Sequence, residues 1–390
     1  MNRNLWLLAI CQGLFLTNNV TFIAINGLVG LSLAPLGWMA TLPVMGYVLG
    51  GAMATPLVAR TQIRFGRQIS FQIGLLVALG STLLCAYAVL SRNFWLLCIA
   101  TVVAGYFNAN AQLYRFAAAE LSDPAWREKA VSLVMAGGLI GAVAGPNLAT
   151  HSRDLMAAPF AAAYIALAGV ALLSMALLSQ IRFPPLGAKA PGSGGRALTE
   201  IMRQPAFIVA AAAGALGFGV MNLLMAATPI AMQQCGLPFS DAALVLEWHV
   251  IGMFAPGFFT GHLIRRFGAL SIMAVGVALN LGCIAVALSG VELHQFLIAL
   301  FLLGVGWNFL FTGSTTLSLQ TYTPQEKDRA QGALNFFVFA TLALTSFASG
   351  VLVTTQGWSL LNYGSLLPVL LTGAALLWLA LVQRKLAGSG

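Results

Sequence analysis

Charge is what this sequence has least of. Only 7% of its 390 residues are Asp, Glu, Lys or Arg, against 59% hydrophobic. Soluble domains carry roughly a quarter charged residues, so a water-soluble globular domain is excluded and a bilayer must be the solvent. Acid is scarcer than base, ten residues against nineteen, and the chain has no acid before Glu120. The five cysteines, Cys11, Cys85, Cys98, Cys235 and Cys283, have neither zinc nor haem spacing. An odd number, mostly inside apolar runs, argues against a disulfide framework. A phosphate loop, a His-Glu-x-x-His motif and a nucleophile paired with a base are also missing. No enzyme is expected, and no resident cofactor.

What is present is apolar length. A helix needs about 20 apolar residues to cross about 30 Å of hydrocarbon, and only helices and closed barrels satisfy every backbone group there. The runs do not alternate as barrel strands would, so they are read as helices. They cover 5–31, 37–59, 69–90, 94–119, 131–150, 158–181, 206–232, 241–263, 269–291, 294–319, 330–354 and 360–382. The first run is read as a retained helix, because it is longer than a signal-peptide core and lacks a small-residue cleavage site.

The net charge of +9 raises the question of nucleic acid, but the positions of the bases answer it. With both termini cytoplasmic, sixteen of the nineteen Lys and Arg residues fall on the cytoplasmic side, Arg92 and Arg153 fall outside, and Arg115 lies within a helix. This is the positive-inside asymmetry, so the expected location is a bacterial inner membrane, with the lipid bilayer and not nucleic acid as partner. Nothing in the pattern calls for a second copy, and a monomer is expected.

Residues 182–205 hold Pro-Pro-Leu-Gly and Pro-Gly-Ser-Gly-Gly, which reads as a flexible linker. It separates a six-helix bundle at 1–181 from another at 206–390. A shift of two hundred residues superposes Asn108 on Asn308, Pro124 on Pro324, Lys129 on Arg329 and Ala130 on Ala330. At nearly the same offset Arg64-Phe65-Gly66 falls on Arg266-Phe267-Gly268. Matches at one period signal an internal duplication.

On these residues the chain resembles the major facilitator superfamily over its whole length. That implies an all-α membrane protein of twelve transmembrane helices in two pseudo-symmetric six-helix bundles. Ile63-Arg64-Phe65-Gly66-Arg67 is similar to the family's loop signature between helices 2 and 3, echoed by residues 261–268. The usual acid is replaced by Ile63 and by Arg265. The resemblance implies gating roles for Arg64, Gly66, Arg67, Arg266 and Gly268. Gly141 to Pro146 resembles the Gly-x-x-x-Gly-Pro element of exporters, although close helix packing explains small residues at that spacing equally well. Thr101 stands where proton-coupled exporters often carry an arginine.

Polar or soft side chains inside a membrane are the first functional candidates. Met221 and Met225 share one helix face, as do His249 and Met253, because residues four apart do. Counted from the outer helix ends at 1.5 Å per residue, Met225 and His249 lie about 10 to 12 Å deep, and Met221 and Met253 about 17 to 18 Å. Three thioethers and an imidazole suit Cu(I) better than hard cations, while methionine is also an ordinary gap filler. The pattern is similar to that of the CcoA-type copper importers. That resemblance implies Met221, Met225, His249 and Met253 as metal-binding positions, copper ion or a copper chelate as substrate, and cytochrome oxidase assembly proteins as recipients. Cys235 is an accessory candidate as a soft first contact, and Glu247 for carrying a proton or attracting the cation. Arg115 and Glu120 are expected to snorkel or close an inner gate, and Asn18, Asn19, Asn108 and Asn308 to line a central cavity. A proton-coupled exporter of small organic compounds and a copper-binding receptor remain as other readings.

Overall fold

The structure is a computed structural model and describes residues 3–123, 126–184, 195–323 and 325–388. Lys189, Pro124 and Pro324, used in the sequence argument, lie outside the described residues. Every regular element among the described residues is helical. The first six are α1 (Arg3–Leu33), α2 (Leu42–Leu90), α3 (Phe94–Ala111), α4 (Tyr114–Glu120), α5 (Arg127–Ser152) and α6 (Ala161–Leu178). A short α7 (Leu198–Met202) leads into α8 (Pro205–Gln234), α9 (Phe239–Phe254), α10 (Gly257–Phe267), α11 (Ala269–Ser289), α12 (Leu293–Ser318), α13 (Lys327–Thr355) and α14 (Gly357–Gly388).

Ten of these stretches are long and apolar enough to cross a bilayer, and α9 with α10, bent by 42°, forms an eleventh. The bend falls at Pro256, which lacks the N–H that would continue the ladder. The second and third expected spans are joined in α2, whose 49 residues would reach on the order of 73 Å if straight. It is broken at Gly66, with φ 77° and ψ 173°, a region open essentially to glycine alone. Divided there, α2 crosses twice, and each of the twelve apolar runs has its helix. The fourth run also differs from expectation, since a turn at residues 112–113 separates α3 from α4.

The repeated tripeptide folds twice in the same way. Gly268 has φ 84°, close to Gly66, and the guanidinium of Arg64 lies 5.2 Å from the Phe65 ring centre just as that of Arg266 lies 5.2 Å from Phe267. Tight contacts elsewhere rest on small residues, because lipid gives apolar side chains no reason to associate. A Cβ on Gly50 would sit 2.0 Å from the Val102 carbonyl oxygen, which sets how closely α2 approaches α3. Gly141 is equally constrained, 2.5 Å from the Thr17 nitrogen, and the Thr21 hydroxyl donates to the Gly145 carbonyl at 3.0 Å. The Gly141 to Pro146 element thus packs α5 on α1.

The apolar core is joined at one end and divided at the other. Its largest cluster unites Phe22, Tyr47 and Tyr164 with Met225, Ile230 and Phe239. A second draws its buried residues from 5–181 alone, and two smaller ones draw theirs from 201–330 alone. At the joined end the Thr41 hydroxyl donates to the Ser346 carbonyl at 2.7 Å and accepts from the Gly350 N–H at 3.0 Å. Phe160 meets Phe239 edge-on at 4.9 Å, and the Asn147 side-chain amide donates to Glu247 at 2.9 Å.

The stretch expected to be a flexible linker has a structured end. Residues 185–194 lie outside the described residues, but Arg196 donates through its backbone N–H (2.7 Å), Nε (3.0 Å) and Nη2 (2.8 Å) to the buried carboxylate of Glu326, just before α13. The Arg196 side chain, followed by the backbone N–H groups of Thr323 and Arg196, holds the Glu326 carboxyl well below the usual carboxylate range. A lowered folded-state pKa gives stability that is complete above the ordinary glutamate range and is lost as pH falls through the lowered value. The melting-temperature gap between wild type and Glu326→Gln in detergent is therefore expected to be the same at about pH 8 and about pH 5, and to shrink only in stronger acid. A gap that closes between those two values contradicts the clamp.

Candidate functional site

Aromatic rings gather at mid-depth. Counted from the helix ends at the joined core at about 1.5 Å per residue, Trp307 of α12, Phe254 of α9 and Phe218 of α8 all fall roughly 21 to 24 Å down, with Phe311 one turn deeper. The rings touch: Phe218 lies edge-on to Trp307 at 5.1 Å and to Phe311 at 5.5 Å, Trp307 stacks on Phe311 at 5.0 Å with 8° between planes, and Phe254 stands 6.3 Å from Trp307. Phe254 also packs against both the joined core and the cluster formed by residues 5–181, so the group sits where the two sets of helices meet. Trp307 is 6% exposed, and its indole N–H has no partner among the described residues.

Polar ties fix this group in place. The Asn308 side-chain amide donates to the Met253 carbonyl at 2.7 Å, and its oxygen accepts from the Thr260 hydroxyl at 2.7 Å. One side chain of α12 thereby holds both arms of the α9–α10 bend. Gly304 keeps the helices close, since a Cβ there would lie 2.4 Å from the His249 carbonyl oxygen. At similar depth in the first six helices are Asn19, whose amide donates to the Tyr47 hydroxyl at 3.3 Å, and Asn108, whose Oδ1 is buried without a partner among the described residues.

The sequence candidates divide into three groups. Met221, Met225 and Met253, at 4%, 4% and 7% exposure, are part of the joined core. His249 is fully buried, and its Nδ1 donates to the Leu300 carbonyl at 2.6 Å, which turns that edge of the ring toward α12. Cys235 is an exposed free thiol at the end of α8, and Glu247 lies across from Asn147. At the other end of the molecule Arg67 is buried and donates through Nε (2.9 Å) and Nη2 (2.5 Å) to Glu120, with Gln62 also accepting from it. Glu120 of α4 is thus the acid that pairs with this arginine. Asn18 is buried in α1.

Sequence reasoning missed the aromatic group. Its single readable trace is Trp307-x-x-x-Phe311, two rings on one helix face. The other two members come from different helices and carry no local signal.

A sequence profile described as Major Facilitator Superfamily matches residues 5–290 and, in a second match, 218–389. The riboflavin transporter RfnT of Brucella anthropi is 38% identical over 365 residues, covering 93% of this chain and 92% of that one. Among solved structures, the POT family transporter PepTSo superposes with TM-score 0.74 at 11% identity, over 99% of this chain and 98% of the other. A bacterial homologue of the human lysosomal transporter Spinster, in an inward-facing and occupied conformation, gives TM-score 0.74 at 15% identity over 97% and 96% of the two chains. At such identities the last two show the fold alone.

The expectation of copper import is overturned by the Brucella relative, and the recipient role of cytochrome oxidase assembly proteins falls with it. The three thioethers are buried in the joined core, and His249 donates through Nδ1 to the Leu300 carbonyl while its Nε2 is buried without a partner among the described residues.

Proposed function

The chain belongs to the Major Facilitator Superfamily, and from that premise we propose that it is a secondary transporter of riboflavin or of a closely related flat heteroaromatic solute. The 38% identity to a riboflavin transporter along nearly the whole of both chains is the observation that carries this reading. The aromatic group supports it on chemical grounds. An isoalloxazine is a flat fused ring system with one polar edge, and aromatic side chains bind such faces by stacking or edge contact. Small-molecule sites are mostly apolar, with a few placed polar groups, which matches rings from α8, α9 and α12 at the depth of Asn19 and Asn108. Met221, Met225, His249 and Met253 form the wall on the outer side of this site, without a metal.

The same reading assigns transport to alternating access between 1–181 and 206–390, with 182–205 and both termini on the cytoplasmic side, as the positive-inside asymmetry requires. In that frame the joined end faces outward, and the Arg-Phe-Gly turns with the Arg67–Glu120 pair belong to the inner gate.

The test is uptake of labelled riboflavin by bacteria that cannot make it. Expression of this chain is expected to give saturable uptake that copper chelation leaves unchanged. A Met221→Leu/Met253→Leu double variant should stay within about twofold of wild type, because volume-conserving swaps usually cost under about 1.5 kcal/mol each. Uptake no greater than that of cells lacking the protein overturns the proposal.

A further inference from the structure

Among the described residues, no carboxylate pairs with Arg115, a cation within a membrane span. It is the second residue of α4 and is half-buried, and its Nε is buried without a hydrogen-bond partner. Its guanidinium lies 4.9 Å from the centre of the adjacent Phe116 ring. The ion pairs among the described residues do not include it, although Glu120 lies on the same short helix, because that carboxylate is held by Arg67. Ionisable residues within a span are costly and mark sites of function.

A second observation lies in the same span, across the turn at residues 112–113. Asn108 of α3 precedes Arg115 by seven residues, and its Oδ1 is also buried without a partner among the described residues. Asn108 packs beside Gly51 of α2, where a Cβ would lie 3.3 Å from its amide nitrogen. Side chains on a helix lean toward its N-terminus, and the N-terminal end of α4, where Arg115 stands, is the end nearer Asn108 in the chain. Two unspent polar groups, a forked donor and an acceptor, thus lie in one span, Asn108 at the level of the aromatic rings and Arg115 about 10 Å below it along the chain.

We propose that Arg115 recognises the polar edge of the transported ring, its guanidinium donating to two adjacent acceptor atoms, with Asn108 accepting from the ring N–H beside them. This rests on the flavin reading and deepens it. Oxidised isoalloxazine carries N1 and O2 side by side as acceptors, followed by N3–H, and a planar fork of N–H groups matches the first two. A lysine at this position keeps the charge but not the fork.

The experiment measures binding to the purified full-length protein by quenching of flavin fluorescence, with riboflavin and with 1-deazariboflavin, in which a C–H replaces N1. Wild type is expected to bind riboflavin about tenfold more tightly than the analogue, as loss of a charge-assisted bond implies. Arg115→Lys is expected to weaken riboflavin binding about tenfold and to bind both compounds alike, whereas a purely structural arginine would leave the ratio untouched. Equal binding of the two compounds by wild type overturns the assignment without requiring any variant to fold, as does a ratio preserved in Arg115→Lys. Failure of wild type to bind riboflavin at all removes the flavin reading, and this assignment with it.

Discussion

Replacing Trp307 with Ala is expected to lower riboflavin uptake more than tenfold at equal amounts of protein in the membrane. The indole is the hub of the aromatic group: it meets Phe218, Phe311 and Phe254 with ring centres 5.0 to 6.3 Å apart. Aromatic pairs contribute about 0.5 to 1.5 kcal/mol each beyond the area they bury, so truncation removes several such contacts at once. It also leaves a cavity beside Asn308, whose hydrogen bonds hold the α9–α10 bend. Trp307→Phe separates the two effects, since it keeps a ring in the stack and fills most of the volume. Its uptake is expected to fall between those of wild type and Trp307→Ala. Initial rates normalised to protein detected in isolated membranes provide the measurement. If Trp307→Ala transports riboflavin within twofold of wild type, the aromatic group is packing and not a site.

The different legibility of fold and site has a physical origin. A bilayer imposes one requirement on every span, about 20 apolar residues with all backbone groups satisfied internally, and that requirement is written locally in each run. The Arg-Phe-Gly repeat was equally readable, because a positive φ at Gly66 and Gly268 demands glycine at a fixed place in the chain. The site has no such local rule. Phe218, Phe254 and Trp307 come from three helices and meet only through tertiary packing, and with 24 phenylalanines in the chain no single one stands out. Met221 and His249 drew attention because they are chemically rarer and four residues from a second soft ligand. What the sequence does not show is that the Leu300 carbonyl, on another helix, accepts a hydrogen bond from Nδ1 of His249. The pairing of Arg67 with Glu120 was hidden for the same reason: the acid that pairs with this arginine lies 53 residues away.

Gly350→Val is expected to hold the outer end apart and to abolish net uptake while leaving the protein folded. A Cβ on Gly350 would lie 2.2 Å from the Thr41 hydroxyl oxygen and 3.0 Å from its Cβ, well inside van der Waals contact, and the two further methyl groups of valine add to the collision. Thr41 cannot simply turn away, since its hydroxyl donates to the Ser346 carbonyl and accepts from the Gly350 N–H. These are contacts between α13 and the residue that precedes α2, so they exist only while the two ends are together. A substitution that penalises only the closed arrangement shifts the population toward the open one, by the amount of that difference. Lattice-free evidence comes from thiol labelling in a background without the native cysteines. A cysteine at position Trp38, next to the contact, is expected to react with an impermeant maleimide from outside several-fold faster in Gly350→Val than in the parent. Gly350→Ala, with one carbon instead of three, should give a smaller change in the same direction. The alternative, that Gly350 only packs α13 within its own set of helices, predicts a lower melting temperature with no change in labelling. Equal labelling rates in parent and Gly350→Val would therefore rule out this contact as the outer gate.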